Sequence, residues 1–197
     1  EVPGPSADKL TPRVRETAKR LWLLYVGITA IEVALLLPAM SLFDAVNHAF
    51  ATMATGGFSP EGGSVGDYDS AYVDGVITVF MFLAGMNFAL HYRMLRGEPL
   101  TAIEDTEFRT YAAVVIGATA LLVVATWEPT VAFIPGNDGA STYSSLATSF
   151  RYAVFQAVAI ITTTGFGTAD YELWSSLGTG VLFLLFFCGG MAGSTGG

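Results

Sequence analysis

An apolar run that halts on threonine and glycine occurs twice in this sequence, 108 residues apart, and few folds accommodate it. One copy is Ile160-Ile161-Thr162-Thr163-Thr164-Gly165-Phe166-Gly167-Thr168, which exits through Ala169-Asp170-Tyr171; the other is Thr52-Met53-Ala54-Thr55-Gly56-Gly57-Phe58-Ser59. Glycine reaches backbone conformations closed to other residues, so such a stretch can turn several carbonyls to one side. Carbonyls so arranged can replace the water shell of a monovalent cation. Aligning Ser41–Ser59 with Ser149–Gly167 gives identities at Ser41/Ser149, Ala45/Ala153, Val46/Val154, Ala49/Ala157, Ala51/Ala159, Thr55/Thr163, Gly57/Gly165 and Phe58/Phe166, eight of nineteen positions. This is an internal repeat. It pairs Gly57 with Gly165 and leaves Gly56 opposite Thr164.

The flanking sequence reads as membrane. Of the 197 residues 52% are hydrophobic and 13% charged, where a soluble domain carries ~25% charge. Mean hydropathy is +0.54. A net charge of −8 argues against a nucleic-acid partner, which needs a basic face. The single Cys188 offers neither a disulfide framework nor a cysteine metal site. The chain opens without Met and stops in a glycine-rich run, which reads as part of a longer protein.

Taken in order, residues 1–20 form a polar, basic segment with Pro3, Pro5 and Pro12 as breakers, followed by an apolar span over Leu21–Pro38. Ser41 and Asp44 resemble a helix-capping pair. The helix expected over 41–53 is too short to cross a bilayer, at ~1.5 Å per residue, and suits a half-helix that dips into the membrane. Its negative C-terminal pole faces the Thr/Gly stretch 54–59. A second span covers 73–92, with its apolar part from Val73 to Leu90. A charged linker, 93–107, leads to a second unit over 108–197: span 108–127, half-helix 149–161, Thr/Gly stretch 162–168, and span 173–197 dissolving into a Gly-rich loop at 189–197. Trp22, Trp127 and Trp174 stand at span ends, as interfacial aromatics do.

Eight of the nine Lys/Arg residues lie in 1–20 and 93–109, and the ninth is Arg151. The loops 60–72 and 128–148 hold Glu61, Asp67, Asp69, Glu128 and Asp138 instead. The positive-inside rule places the basic segments in the cytoplasm and both acidic loops outside. The fold class expected is an all-α membrane protein of tandem helix–pore-helix–filter-loop–helix repeats.

The whole chain resembles the Trk/Ktr/HKT superfamily of potassium transporters, and within it the TrkH-type pore-forming subunits of prokaryotes. The resemblance rests on Pro3 to Pro12, Ser41 to Ser59, Phe155 to Phe166 with Ala169-Asp170-Tyr171, and Gly189 to Gly197. It implies the second and most of the third of four pore repeats, the others being absent from this sequence. It implies that backbone carbonyls of Thr55, Gly56, Gly57, Thr163, Thr164 and Gly165 coordinate K⁺, the transported ion, with no organic cofactor. It further implies that Gly189, Gly190, Gly193, Ser194, Thr195, Gly196 and Gly197 belong to a gate loop below the filter. The partners it implies are membrane lipid, the remaining pore repeats and, in a homodimer, a cytoplasmic nucleotide-binding regulatory subunit. The location implied is the prokaryotic plasma membrane. From the residues alone, a Gly-interrupted apolar segment points to a transport site, with plain helix packing by small residues as the alternative.

Glu32, inside the first span, reads as a helix-packing group. His48 and Gln156, opposite each other in the repeat, read as donors that brace filter carbonyls from behind. Asn87 with Gly85 reads as helix packing, and Asp170 as a cation-concentrating group or a solvated acid. Two other classes stand against transport. An intramembrane serine hydrolase would use Ser194 and would need a histidine base about 3 Å away. A non-transporting membrane scaffold needs no site at all. An enzyme is not expected.

Overall fold

The computed structural model describes residues 7–128 and 142–196, and these are helical with no β-strand among them. Eight α-helices follow in order: α1 Ala7–Leu36, α2 Leu42–Met53, α3 Ala71–Ala84, α4 Phe88–Leu95, α5 Thr101–Glu104, α6 Thr106–Thr126, α7 Leu146–Ile161 and α8 Ser176–Leu185. Local chemistry sets most starts. Ser41 caps α2 by accepting the Asp44 N–H, and returns its hydroxyl to Asp44 Oδ2 at 2.7 Å. Asp105 caps α6 through Phe108 N at 2.8 Å. Ser70 and Ser175 cap α3 and α8 through the N–H three residues on.

Those last two serines reveal a second register. Counting 105 residues rather than 108, α3 superposes on α8, and Ser70/Ser175, Gly75/Gly180, Val76/Val181, Phe82/Phe187, Gly85/Gly190 and Met86/Met191 coincide. The repeat therefore continues past the Thr/Gly stretch, and the connection to the next helix is three residues shorter in the second copy (168–174) than in the first (60–69).

α7 lies at the centre, against α3, α6 and α8, while α1 covers α2 and α3. From Phe155 to Ile161 every α7 residue is buried, as expected of a helix apolar on all faces. Ile77, Met81, Leu122, Phe166, Leu182 and Met191 complete this core. The outward faces are apolar too: Ile116, Val124, Phe183 and Phe187 are all more than half exposed.

Several expectations are corrected. The span over 73–92 is two helices, α3 and α4, bent by 101° at Gly85–Asn87. Asn87 is the N-cap of α4, its Oδ1 accepting Ala89 N at 2.8 Å, while Gly85 does pack closely, a Cβ there meeting the Tyr111 hydroxyl and Thr162 Cγ2. Of four expected spans, Thr106–Thr126 alone is a continuous helix long and apolar enough to cross a membrane; the bent pair is a second candidate. α1 carries Lys19, Arg20 and Glu32 in its last eighteen residues, and α8 has ten residues, roughly 15 Å. α1 also runs through Pro12, because a proline near a helix start disturbs only the turn before it. The second half-helix begins at Leu146, one turn early; Ser149 is interior and bonds Thr126 Oγ1 at 2.7 Å. Trp174 is buried against the protein, its Nε1 donating to the Tyr143 hydroxyl at 3.4 Å. Most of the loop 128–148, including Asp138, lies outside the described residues, as do Pro3, Pro5 and Gly197.

Candidate filter and the loop beside it

Both half-helices end in the same backbone device. Thr55 N bonds Thr52 O at 3.0 Å and Thr163 N bonds Ile160 O at 2.9 Å. The glycine N–H groups then turn back to one carbonyl of the half-helix: Gly56 and Gly57 to Ala51 O at 2.7 and 3.4 Å, Gly165 to Ala159 O at 3.0 Å. Ala51 and Ala159 are themselves repeat partners. Donors that point back leave the carbonyls pointing elsewhere. Among the described residues, the carbonyls of Thr55, Gly56, Gly57, Thr163, Thr164 and Gly165 accept no hydrogen bond.

The dihedral angles carry the repeat as well. Positive φ falls on every second residue, Thr55 (50°) and Gly57 (65°) in one copy, Thr163 (59°) and Gly165 (81°) in the other. Glycine enters this region freely, but a β-branched residue there is an outlier. Sequence reading placed the conformational demand on the glycines and missed the two threonines. Gly57 is also pressed on its neighbour: a Cβ there would overlap the Thr164 carbonyl oxygen and come within 3.1 Å of the Gly165 carbonyl carbon. A Cβ on Gly56 makes ordinary contacts, with the Phe58 ring at 3.5 Å and Ala51 O at 3.8 Å.

The residues expected to brace the filter behave unequally. His48 Nδ1 faces the Asp44 carbonyl at 2.8 Å and Nε2 faces Ser59 Oγ at 3.0 Å. A carbonyl only accepts, so the proton sits on Nδ1 and Ser59 donates to Nε2; Ser59 Oγ in turn accepts Glu61 N. His48 thus steadies the filter exit through Ser59, and its ring stacks on Phe166 with centroids 5.7 Å apart. It does not donate to a filter carbonyl. At Gln156 the serine equivalent is Gly167, and the buried amide has no partner among the described residues. The same covering explains why Phe166 is 1% exposed and Phe58 82%.

The Gly-rich loop docks into the α3–α4 break. Met191 N bonds Gly85 O at 2.8 Å, Thr195 N and Oγ1 bond Ala84 O at 3.2 and 3.0 Å, and Phe88 N bonds Gly193 O at 3.1 Å. Thr55 Oγ1 reaches Thr195 O at 3.3 Å. At Gly196 a Cβ would run into the Thr162 carbonyl, so the loop abuts the start of the second filter stretch. The sequence signal for this joint was the shared Gly-Met at 85–86 and 190–191. Ser194 Oγ is buried without a partner, and neither histidine bonds it. Both His48 nitrogens are engaged as above and His91 Nε2 bonds Leu83 O at 2.9 Å.

Around the outer loops, Arg151 joins α7 to α3 by an Nε–Asp74 Oδ2 contact of 2.5 Å, with Asp69 at 3.6 Å. This accounts for the one cation outside the two basic segments. Tyr68 packs edge-on against His48; burial first, then Asp44, Glu61 and Asp67, pushes its phenol up to about 12. Asp170 caps its own short turn by accepting Glu172 N. Glu32 is fully buried on α1, its carboxyl oxygens unpartnered. Among the described residues no cluster of three or more His, Cys, Asp or Glu could hold a metal ion.

A family model described as TrkH, cation transport protein, matches residues 5–197. The Trk system potassium uptake protein TrkH of Escherichia coli (strain K12) is 38% identical over 200 residues, covering 100% of this chain and 39% of the relative. The Trk system potassium uptake protein TrkG of the same strain is 33% identical over 201 residues, again covering 100% and 39%. The crystal structure of the potassium transporter TrkH from Vibrio parahaemolyticus superposes with a TM-score of 0.82 at 33% identity, over 94% of this chain and 38% of that one. The chain thus spans about two-fifths of the length of the curated relatives it matches.

Proposed function

This chain belongs to the TrkH family of cation transport proteins, and from that premise we propose that it forms part of a potassium-uptake pore, contributing two filter segments and a gate loop. The observation that carries the reading is the set of six unbonded carbonyls, at repeat-related positions, behind which the N–H groups of Thr55, Gly56, Gly57, Thr163 and Gly165 are tied to the half-helices. Tied donors keep the carbonyls from collapsing when the ion leaves. A bare K⁺ then exchanges its water shell for oxygen ligands, with the negative ends of α2 and α7 directed at the same region. Catalysis by covalent chemistry has no part in this, and the named relatives are uptake proteins.

In this reading 21–92 and 108–197 are two pore repeats, the basic segments 1–20 and 93–107 are cytoplasmic, and the loops 60–72 and 128–148 face outward. Two segments do not close a ring, so the remaining repeats of a full-length subunit complete the filter. Lipid covers the apolar exterior, and a cytoplasmic nucleotide-binding regulatory subunit engages a homodimer from below. The Gly-rich loop, against Thr162 and within the helix break, obstructs the path inside the filter. The full-length subunit carrying this sequence, expressed in a potassium-uptake-deficient strain, is expected to restore saturable Rb⁺ uptake that K⁺ competes for better than Na⁺. No Rb⁺ uptake from a well-expressed subunit, regulatory partner present, would leave the scaffold reading in its place.

A further inference from the structure

The Gly-rich loop is tied down chiefly by backbone groups of the helix break it occupies, with Thr55 Oγ1 on Thr195 O beside them, but one tie comes from the linker. Ala192 N donates to Glu107 Oε1 at 2.6 Å, across 85 residues of sequence. Glu107 stands in the first turn of α6, at the end of the linker 93–107. A carboxylate there ordinarily caps its own helix. Asp105 already does so through Phe108 N, which leaves the Glu107 carboxylate for the loop. Both Glu107 and Ala192 are exposed. Glu107 makes no ion pair among the described residues, the linker's pair being Arg93 with Glu98.

We infer that Glu107 is a latch on the Gly-rich loop, a positioning residue by which the linker between the two repeats holds the loop across the ion path. The inference rests on the gate reading above. Among the described residues two side chains from outside the break tie the loop, Thr55 through Thr195 O and Glu107 through Ala192 N; Glu107 is the one that belongs to the linker, so a displacement of the linker draws directly on the loop. A backbone tie inside the break has no such handle.

The test uses the full-length subunit in proteoliposomes, with Rb⁺ flux, Rb⁺/Na⁺ ratio and cysteine labelling as readouts. Glu107→Ala is expected to raise flux about fivefold, the share of an equilibrium that one hydrogen bond to a partly exposed carboxylate controls. The Rb⁺/Na⁺ ratio stays unchanged, and Glu107→Gln, which keeps an acceptor oxygen, stays near wild type. In a cysteine-free background that includes Cys188→Ser, a cysteine replacing Ala192 should react faster with a thiol reagent when Glu107 is alanine, and at the original rate when it is glutamine. Gly190→Ala, whose Cβ meets Ser194 Oγ at 2.8 Å, probes the gate reading alone and should alter flux. Unchanged flux in Glu107→Ala, with or without faster labelling, beside altered flux in Gly190→Ala overturns the latch and leaves the gate standing. Unchanged flux in both overturns gate and latch together.

Discussion

Thr55 and Thr163 hold φ of 50° and 59°, where a side chain bearing Cβ costs about 1–2 kcal/mol. Strain of this kind persists when the surroundings over-determine it, and here they do. Each threonine N–H is fixed to its half-helix, as is the N–H of the glycine two residues on. The residues at the alternate positions, Gly56 and Thr164, have no such demand, which separates three substitutions made in the full-length subunit. Gly165→Ser should lower the K⁺/Na⁺ preference with little loss of protein, since nothing lies within 4 Å of its Cβ position among the described residues. Gly57→Ser should lower preference and also thermal stability in detergent, because it meets the Thr164 carbonyl as well as unfavourable φ. Gly56→Ser should change either much less. Equal sensitivity at Gly56 and Gly57, read from Rb⁺/Na⁺ uptake ratios, would detach the filter from the 108-residue register.

Among the elements, the half-helices and filter stretches were legible in sequence because capping, length and glycine placement all agreed. The broken span was not. Hydropathy averaged over Val73–Leu90 passes smoothly across Gly85-Met86-Asn87, and only the matching Gly190-Met191 marks the joint once the register moves from 108 to 105. The loop ties at this joint are mostly backbone to backbone, and such bonds leave no side-chain signature. Gln156 was equally opaque, since its missing partner follows from Gly167 standing where the other repeat has Ser59. The tie between α7 and α3 is different in kind, a side-chain ion pair with Asp74 2% exposed and the Arg151 side chain 23% exposed. Removing one end of a fully buried pair costs roughly 3–5 kcal/mol; the partial exposure of Arg151 brings the expectation to about 2–3 kcal/mol for Asp74→Ala. Adding Arg151→Gln should cost little more, because the charge then left with only the exposed Asp69 at 3.6 Å is gone. Thermal unfolding of the four combinations in detergent measures this, and additive losses would mean that the two residues act apart.

At the scale of the molecule, the acidic loops and the basic linker lead, by the positive-inside rule, to the proposal that the two repeats share one orientation. A cysteine at Gly62, exposed and with no atom within 4 Å of its Cβ position, should react with an impermeant thiol reagent from outside intact cells. Labelling only after permeabilisation would invert the topology. Ser64 is a poorer choice, since its hydroxyl holds Gly167 N at 3.2 Å. The contact of Gly57 with Thr164 has a further consequence, for how such a sequence can change over generations. Copies made by duplication normally drift independently, each absorbing substitutions that the other never sees. Here a side chain gained at 57 requires the backbone at 164–165 to move, so a lineage cannot alter one copy without answering in the other. The loop beyond the filter also meets the other copy, Gly66 N donating to Gly167 O at 3.0 Å and Gly167 N to Ser64 Oγ at 3.2 Å, yet it is three residues shorter in the second copy, whereas Thr-x-Gly-Phe stands in both. Variation is thereby admitted outside the filter and refused within it, and the two stretches are inherited as a single character.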